Sequence, residues 1–210
     1  MFDIHSHILF GVDDGSSTFA ESQAMLHAAR KVGIDHIVCT PHLRGSQFNL
    51  ERILNNYQLL FDYAQAHGVK MALGYEVYWQ NIAELGLDRA PEFCIENTNL
   101  LLLEFSYDSF PANWQRIIYE LQGTGVQPII AHPERYRPIQ NNLDIAHELK
   151  DMGCLMQLSG NIAASGPFSV SKRTAIKLLE GGLVDYIASD AHAVEDYKIF
   201  EKTLDLARRY

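Results

Sequence analysis

The chain has 210 residues, enough for one domain with a sizeable core, and 47% of them are apolar, which argues against disorder. Its 17 basic residues face 26 acidic ones, a net charge of −9 that lacks the basic footprint of a nucleic-acid binder and attracts anionic lipid poorly. No apolar run approaches the ~20 residues needed to cross a bilayer.

Strand-like runs alternate with helix-like ones along the chain. The strands are expected near residues 2–5, 35–40, 70–76, 99–105, 126–131, 154–159 and 185–189. They are short and rich in Ile, Val and Leu, as strands buried on both faces should be. The first helix is expected over 18–32, with Ala20, Ala24, Ala28 and Val32 on one stripe beside Met25 and Ala29. Thr18 and Glu21 could form a capping box there, and Gly33 is a plausible stop. The second, over 50–66, repeats the spacing with Leu50, Ile53, Leu54, Tyr57, Phe61 and Ala64. Later helices are expected near 112–123, 142–152, 169–181 and 195–208. This alternation implies a parallel sheet with crossover helices. No linker, repeat or low-complexity tract interrupts it, so residues 1–210 are taken as a single domain.

Six of the strand-like runs end in residues that bind metals. FDIHSH ends in His5 and His7, HIVCTPH in His42, MALGYE in Glu76, NLLLLE in Glu104, QPIIAH in His132, and DYIASDAH in Asp190 and His192. His5 and His7 lie two apart, so on a strand they face one side. Asp190 and His192 repeat that spacing. An HxH pair alone is a weak signal, and Asp13, Asp14 and Gly15 alone make an ordinary acidic turn. The joint pattern is stronger. Charges at the ends of buried strands are costly unless paired or bound to metal, and too few basic residues occupy comparable positions. Ligands on strands from the whole chain favour a barrel, whose strand ends all surround one mouth, over an open sheet. Imidazole and carboxylate without thiolate suit Mn, Fe or Zn, and the number of ligands points to a multinuclear site. His27, His36, His67 and His147 lack this placement and are read as surface or structural.

Cys39, Cys94 and Cys154 form no CxxC pair and are read as reduced thiols. A thiol phosphatase loop needs arginine six positions after its cysteine. Cys39 is followed by TPHLR, one residue short, and the other two have no arginine at that distance. The opening FDIHSH has no basic segment ahead of an apolar stretch, so no signal peptide is expected, and a cytoplasmic location is.

The ordered motifs DIHSH, DDG, TPH, GYE, LLEF, IAHPER and ASDAH resemble the PHP (polymerase and histidinol phosphatase) domain family. They are most similar to its bacterial manganese-dependent protein-tyrosine phosphatases of capsule and exopolysaccharide operons. The resemblance runs from residue 2 to about 192. It implies an α/β fold, a distorted seven-stranded (β/α)7 TIM-like barrel, with three divalent metal ions, Mn²⁺ or else Fe or Zn. His5, His7 and Asp190 would hold the first ion, with Glu76 bridging to the second. Glu104 and His132 would complete the second ion, and Asp14, His42 and His192 would hold the third.

The resemblance further implies hydrolysis of phosphotyrosine by a metal-bound hydroxide, with Arg135 contacting phosphate, Arg44 a weaker candidate for that role, and Asp190 at the catalytic centre. A guanidinium fork matches phosphate oxygens, although Arg135 could instead pair with Glu134 or another acid. The partner implied is a membrane-associated bacterial tyrosine autokinase controlling polysaccharide export. No nucleic acid and no membrane insertion are expected.

Two departures from the family pattern stand out. Lys198 is the first basic residue after ASDAH, where an arginine is usual, and the chain ends at Tyr210, which implies a more open mouth. Tyr75, Tyr78, Trp79, Phe48, Phe105 and Tyr107 lie near ligands in sequence and either line that mouth or pack. The competing functions are a small-molecule phosphoesterase such as a histidinol-phosphate phosphatase, an amidohydrolase-like hydrolase, and a non-catalytic metal-binding barrel.

Overall fold

A computed structural model describes residues 1–45, 48–166 and 168–210. All of its paired strands run parallel. In chain order they are β1 (Phe2–Ser6), β2 (His36–Cys39), β3 (His42–Leu43), β4 (Lys70–Leu73), β5 (Glu76–Tyr78), β6 (Leu100–Glu104), β7 (Gln127–Ala131), β8 (Leu155–Ser159) and β9 (Tyr186–Ala188). They form a three-stranded sheet, β1-β2-β4, and a six-stranded sheet, β3-β5-β6-β7-β8-β9.

Nine strands arise from seven expected runs because two runs break. Pro41 has no N–H to continue the second, and Gly74–Tyr75 interrupts the third. Backbone bonds carry the ladder past both breaks, from Gly74 N–H to Cys39 C=O at 2.8 Å and from Glu76 N–H to Pro41 C=O at 3.1 Å. At the far side β1 meets the chain after β9 through a parallel bridge between Ser6 and Ala191. The lower parts of β4 and β6 do not pair. There Ile95 N–H bonds Leu100 C=O and Glu96 N–H bonds Leu73 C=O, each at 2.8 Å. The result is an α/β fold with its seven extended segments set as a distorted barrel.

The helices are α1 (Phe19–Lys31), α2 (Leu50–Ala66), α3 (Trp79–Leu85), α4 (Trp114–Gly123), α5 (Arg137–Asn141), α6 (Asp144–Asp151), α7 (Val170–Glu180) and α8 (Asp196–Ala207). α3 and α5 are too short to show a 3.6-residue period, which is why spacing alone does not reveal them. The expected stripes hold in part: Met25, Ala29, Ile53 and Ala64 are buried, and Ala28, Val32, Tyr57 and Phe61 pack against the core. α1 buries Ser22, Met25, Leu26 and Ala29 rather than Ala20 and Ala24, because the larger side chains Met25 and Leu26 bury more apolar surface. α2 buries Ile53, Leu60 and Ala64, while Leu50 and Leu54 are exposed. At the start of α1, Thr18 accepts from Glu21 N–H, but Glu21 reaches back to Ser17 N–H rather than to Thr18.

Two apolar layers result. The larger lies between strands and helices. The smaller fills the barrel, with Val38, Ile95, Leu102, Ile129 and Ala131 fully or nearly buried and Ile4, Ala72, Leu100, Leu155 and Tyr186 packed against them. Polar side chains replace this apolar layer toward the C-terminal strand ends. β1 helps by a bulge: three steps from Asp3 to Ser6 face two steps from Ile37 to Cys39. The extra residue lets Ile4 join the inner apolar layer while its neighbour His5 reaches Gln157, which lies two residues beyond inner-layer Leu155 on β8.

Candidate metal centre

Glu76 is the hub of the polar layer. It opens β5 directly after the Gly74–Tyr75 break and is buried. Its carboxylate lies 3.4 Å from His5 Nε2, 3.2 Å from His7 Nε2, 3.0 Å from His42 Nδ1 and 2.7 Å from His132 Nε2. Asp190 Oδ1 lies 3.4 Å from His5 Nε2 and 3.6 Å from His7 Nε2. Those two imidazole nitrogens are themselves only 3.1 Å apart.

Three groups of donor atoms emerge, each within 4.8 Å internally: His5, His7 and Asp190; His42, Glu76 and Glu104; and His7, Asp14, His42 and His192. These groups hold eight of the nine expected ligands and differ in grouping from the expected set; the ninth, His132, stands outside all three but beside Glu76. His7 also stands in the Asp14 group, and His42 serves two groups. His132 belongs with Glu76 at 2.7 Å and lies 3.9 Å from Glu104 Oε1. Asp14, His42 and His192 sit nearest to solvent, whereas His5, His7, Glu76 and Glu104 are buried.

The electrostatics suit cations. Burial alone would raise the Glu76 carboxyl, but the surrounding imidazoles hold it well below the usual range. Burial, reinforced by the nearby Glu76 charge, pushes Glu104 up to about 7. Burial and then the Arg135 charge hold His132 down at about 4. Burial would depress His42, yet Asp14 and Glu76 outweigh it and lift it to about 9. Glu104 Oε1 is buried without a hydrogen-bond partner. A buried acceptor left open, facing a cluster of imidazole and carboxylate donors without thiolate, fits divalent cations such as Mn²⁺, Fe²⁺ or Zn²⁺.

Two of the candidate ligands sit in unusual backbone. Among the described residues only Asn97, His132 and Asp190 combine a side chain with positive φ, at +60°, +34° and +52°. His132 and Asp190 lie just beyond β7 and β9, where the left-handed turn bends each side chain into the mouth. Such conformations cost about 1–3 kcal/mol each and persist where the surroundings enforce them.

Arg135 lies in the turn after His132. Its guanidinium bonds Asp190 Oδ2 and donates to Ser159 Oγ at 2.8 Å, while Glu134 is 4.0 Å away. Its carboxylate partner is therefore Asp190, itself a member of the ligand set. Arg44 pairs with Glu104 and lays its guanidinium 4.8 Å from the Tyr78 ring centre. Lys198 is exposed on α8, whereas its neighbour Tyr197 is buried and reaches Ser6 Oγ at 3.1 Å. Cys39 and Cys154 are buried in the outer apolar layer, and burial pushes the Cys39 thiol far above its ordinary value. That environment does not favour a thiolate. His27, His36, His67 and His147 belong to none of the three donor groups.

A supporting ring escaped the sequence reading. Asp13 Oδ2 pairs with His7 Nδ1 at 2.8 Å and accepts from His42 N–H at 3.2 Å. Gln157 Oε1 pairs with His5 Nδ1 at 2.8 Å. Both fix which imidazole nitrogen is free to face the cluster. Asp3 accepts two bonds from Ser189, its backbone N–H at 2.8 Å and its hydroxyl, and so anchors the turn that carries Asp190. Only the DDG turn hinted at Asp13. Asp13→Asn is expected to lower metal affinity or turnover about 10- to 100-fold, and an unchanged metal-binding isotherm would refute this role. The turn also leaves no room at Gly15, where a Cβ would lie 2.1 Å from the His7 carbonyl oxygen. Gly15→Ala is expected to cost ~3 kcal/mol of stability, and a melting temperature equal to that of the wild type would contradict it.

Residues 1–199 match the capsular polysaccharide synthesis family CpsB/CapC. The tyrosine-protein phosphatase YwqE of Bacillus subtilis (strain 168) is 33% identical over 204 residues, which covers 93% of this chain and 78% of that one. The tyrosine-protein phosphatase CpsB of Streptococcus pneumoniae is 32% identical over 204 residues, covering 93% and 84%. A crystal structure from work on YwqE and CpsB, described as metal-dependent tyrosine phosphatases, superposes with a TM-score of 0.87 at 29% identity, covering 100% of this chain and 87% of that one. A β-aspartyl dipeptidase from Fervidobacterium islandicum AW-1, at 14% identity and TM-score 0.60, shares the fold alone. The mouth and its donors thus sit on the scaffold of a metallophosphatase class. The chain belongs to the CpsB/CapC family.

Proposed function

We propose that this chain is a metal-dependent protein-tyrosine phosphatase, a phosphoric monoester hydrolase of capsule or exopolysaccharide synthesis. The observation that carries this is the buried Glu76 hub, with three imidazole–carboxylate groups meeting around it in a chain of this family. In this reading His5, His7 and Asp190 hold one divalent ion, Glu76, Glu104 and His132 a second, and Asp14, His42 and His192 a third. Mn²⁺ is the preferred metal. When bound, the ions supply Lewis acidity to phosphoryl oxygens and make water a nucleophile at neutral pH.

The chain's own residues do the rest. Asp190 offers Oδ1 to the cluster while Oδ2 fixes Arg135. Arg135 then presents its remaining N–H groups to the phosphate, and Arg44, half-exposed and paired with Glu104, is the second candidate for that charge. Gln157 and Asp13 hold the imidazoles in one orientation. The leaving phenolate of phosphotyrosine has a reference pKa of about 10, so its departure depends less on a general acid than that of an alkyl alcohol.

The protein substrate proposed is a membrane-associated bacterial tyrosine autokinase that regulates polysaccharide export. Among the described residues, no helix is long and apolar enough to cross a membrane. A cytoplasmic location is proposed together with that substrate.

The test is hydrolysis of a phosphotyrosine peptide panel, a phosphoserine peptide and histidinol phosphate, with and without chelator. Phosphotyrosine turnover should vanish with chelator and return with Mn²⁺. A clear preference for histidinol phosphate would overturn the tyrosine reading. A Mn²⁺-loaded protein holding fewer than about two ions per chain would overturn the multinuclear one.

A further inference from the structure

We propose that the cleft between Arg44 and Tyr107 receives the aryl ring of the substrate, and that Tyr107 sets the preference for aryl over alkyl phosphomonoesters. This rests on the phosphatase reading above and adds where the ring goes.

Two clefts flank Arg44. One, of about 190 Å³, is lined by Asp13, Asp14, His42 and Phe48, and its polar wall belongs to the ion-holding groups. The other, of about 350 Å³, is lined by Tyr78, Phe105, Ser106, Tyr107 and Asp108. That volume falls in the range of small-ligand sites, which are mostly apolar with a few fixed polar groups. The aromatic cleft begins where β6 delivers Glu104, since Phe105 and Tyr107 follow it directly.

The two tyrosines of this cleft differ. The face of Tyr78 is taken by the Arg44 guanidinium at 4.8 Å. The Tyr107 ring stands edge-on to His132 with centroids 5.6 Å apart, and lies 6.0 Å from buried Tyr136. Those contacts, with its hydroxyl set beside the Arg135 guanidinium, hold it from one side, yet the residue is 43% exposed. A ring braced by a ligand histidine and still open to solvent contributes less to packing than a buried one. It offers an aromatic surface for offset or edge-on stacking. A substrate with its phosphoryl group near His132 and Arg135 would place the first atoms of its leaving group beside this ring.

Binding of phenylphosphonate and methylphosphonate to Mn²⁺-loaded protein, measured by calorimetry, tests the assignment without turnover. Wild type should bind the phenyl compound about tenfold more tightly. Tyr107→Ala should erase that preference while binding methylphosphonate as tightly as Tyr107→Phe, the variant that lacks only the hydroxyl beside Arg135. Tyr107→Phe should keep the preference, because the ring rather than the hydroxyl makes the contact. Equal weakening of both ligands in Tyr107→Ala relative to Tyr107→Phe, a phenyl preference that survives it, or no preference in wild type would overturn the inference. Failure of the broader reading looks different: wild-type protein loaded with Mn²⁺ would not hydrolyse phosphotyrosine peptides at all.

Discussion

Glu76→Gln is expected to lower kcat/KM on a phosphotyrosine peptide by at least about 10³-fold, near 4 kcal/mol of transition-state stabilisation. Four imidazoles, from His5, His7, His42 and His132, converge on this one carboxylate. A neutral amide keeps the size but loses the charge, and its NH₂ end meets nitrogens that need an acceptor or a cation. Metal content should fall together with activity, and both are measurable on one preparation by elemental analysis and steady-state kinetics. The circular dichroism spectrum should persist, because the hub lies above the apolar layer rather than in it. Retention of a tenth of the activity with full metal content would refute the central role of Glu76.

Arg135→Ala is expected to cost about 10²–10³-fold in kcat/KM, the scale for removing one preorganised donor to developing charge. Arg135→Lys should recover only part of this. The observed guanidinium bridges Asp190 and Ser159 while keeping further N–H groups available, and a point charge on a flexible stem cannot do both. The pattern across the two variants separates the roles. If Arg135 serves only to neutralise buried Asp190, Lys should restore activity to nearly the wild-type rate. If it grips phosphate, Lys should also leave the apparent affinity for inorganic phosphate, as a competitive inhibitor, about tenfold weaker. An unchanged inhibition constant in both variants would remove Arg135 from the phosphate site.

The cluster of candidate ligands at the mouth was legible because most of its members break a local rule. Glu104 after four leucines and His132 after QPIIA put polar groups at the ends of runs that otherwise bury apolar residues. That cost is visible in a window of a few residues, and so is the β–α alternation that places strand ends at one mouth. The length of α2 was legible for the same reason, since its apolar spacing spans several turns. The inward stripe was legible only in part, since Ile53, Tyr57, Phe61 and Ala64 meet the core but Leu50 and Leu54 do not. Which face of an amphipathic helix wins depends on the surface opposite, and Leu50 and Leu54 lost to Leu60.

The supporting residues depend on distance in the chain. Gln157 is 152 positions from His5, and Ser159 is 24 from Arg135. Gln and Ser are ordinary polar residues with no local signature, and only the neighbour that folding supplies makes them functional. Asp13 and Asp14 show the same limit at adjacent positions. Local composition makes both an acidic turn, but the turn aims Asp13 at the back of His7 and Asp14 toward the exposed side of His42. Likewise, the sequence offers Arg135 the adjacent Glu134 or another acid as a partner, and only the fold picks out Asp190, 55 positions away. Residue types and their order along the chain therefore mark out most of the side chains that gather at the mouth, because those carry an energetic cost that is local. Pairings, shared ligands and the bulge that turns His5 inward follow from the meeting of distant strand ends, which no local window contains.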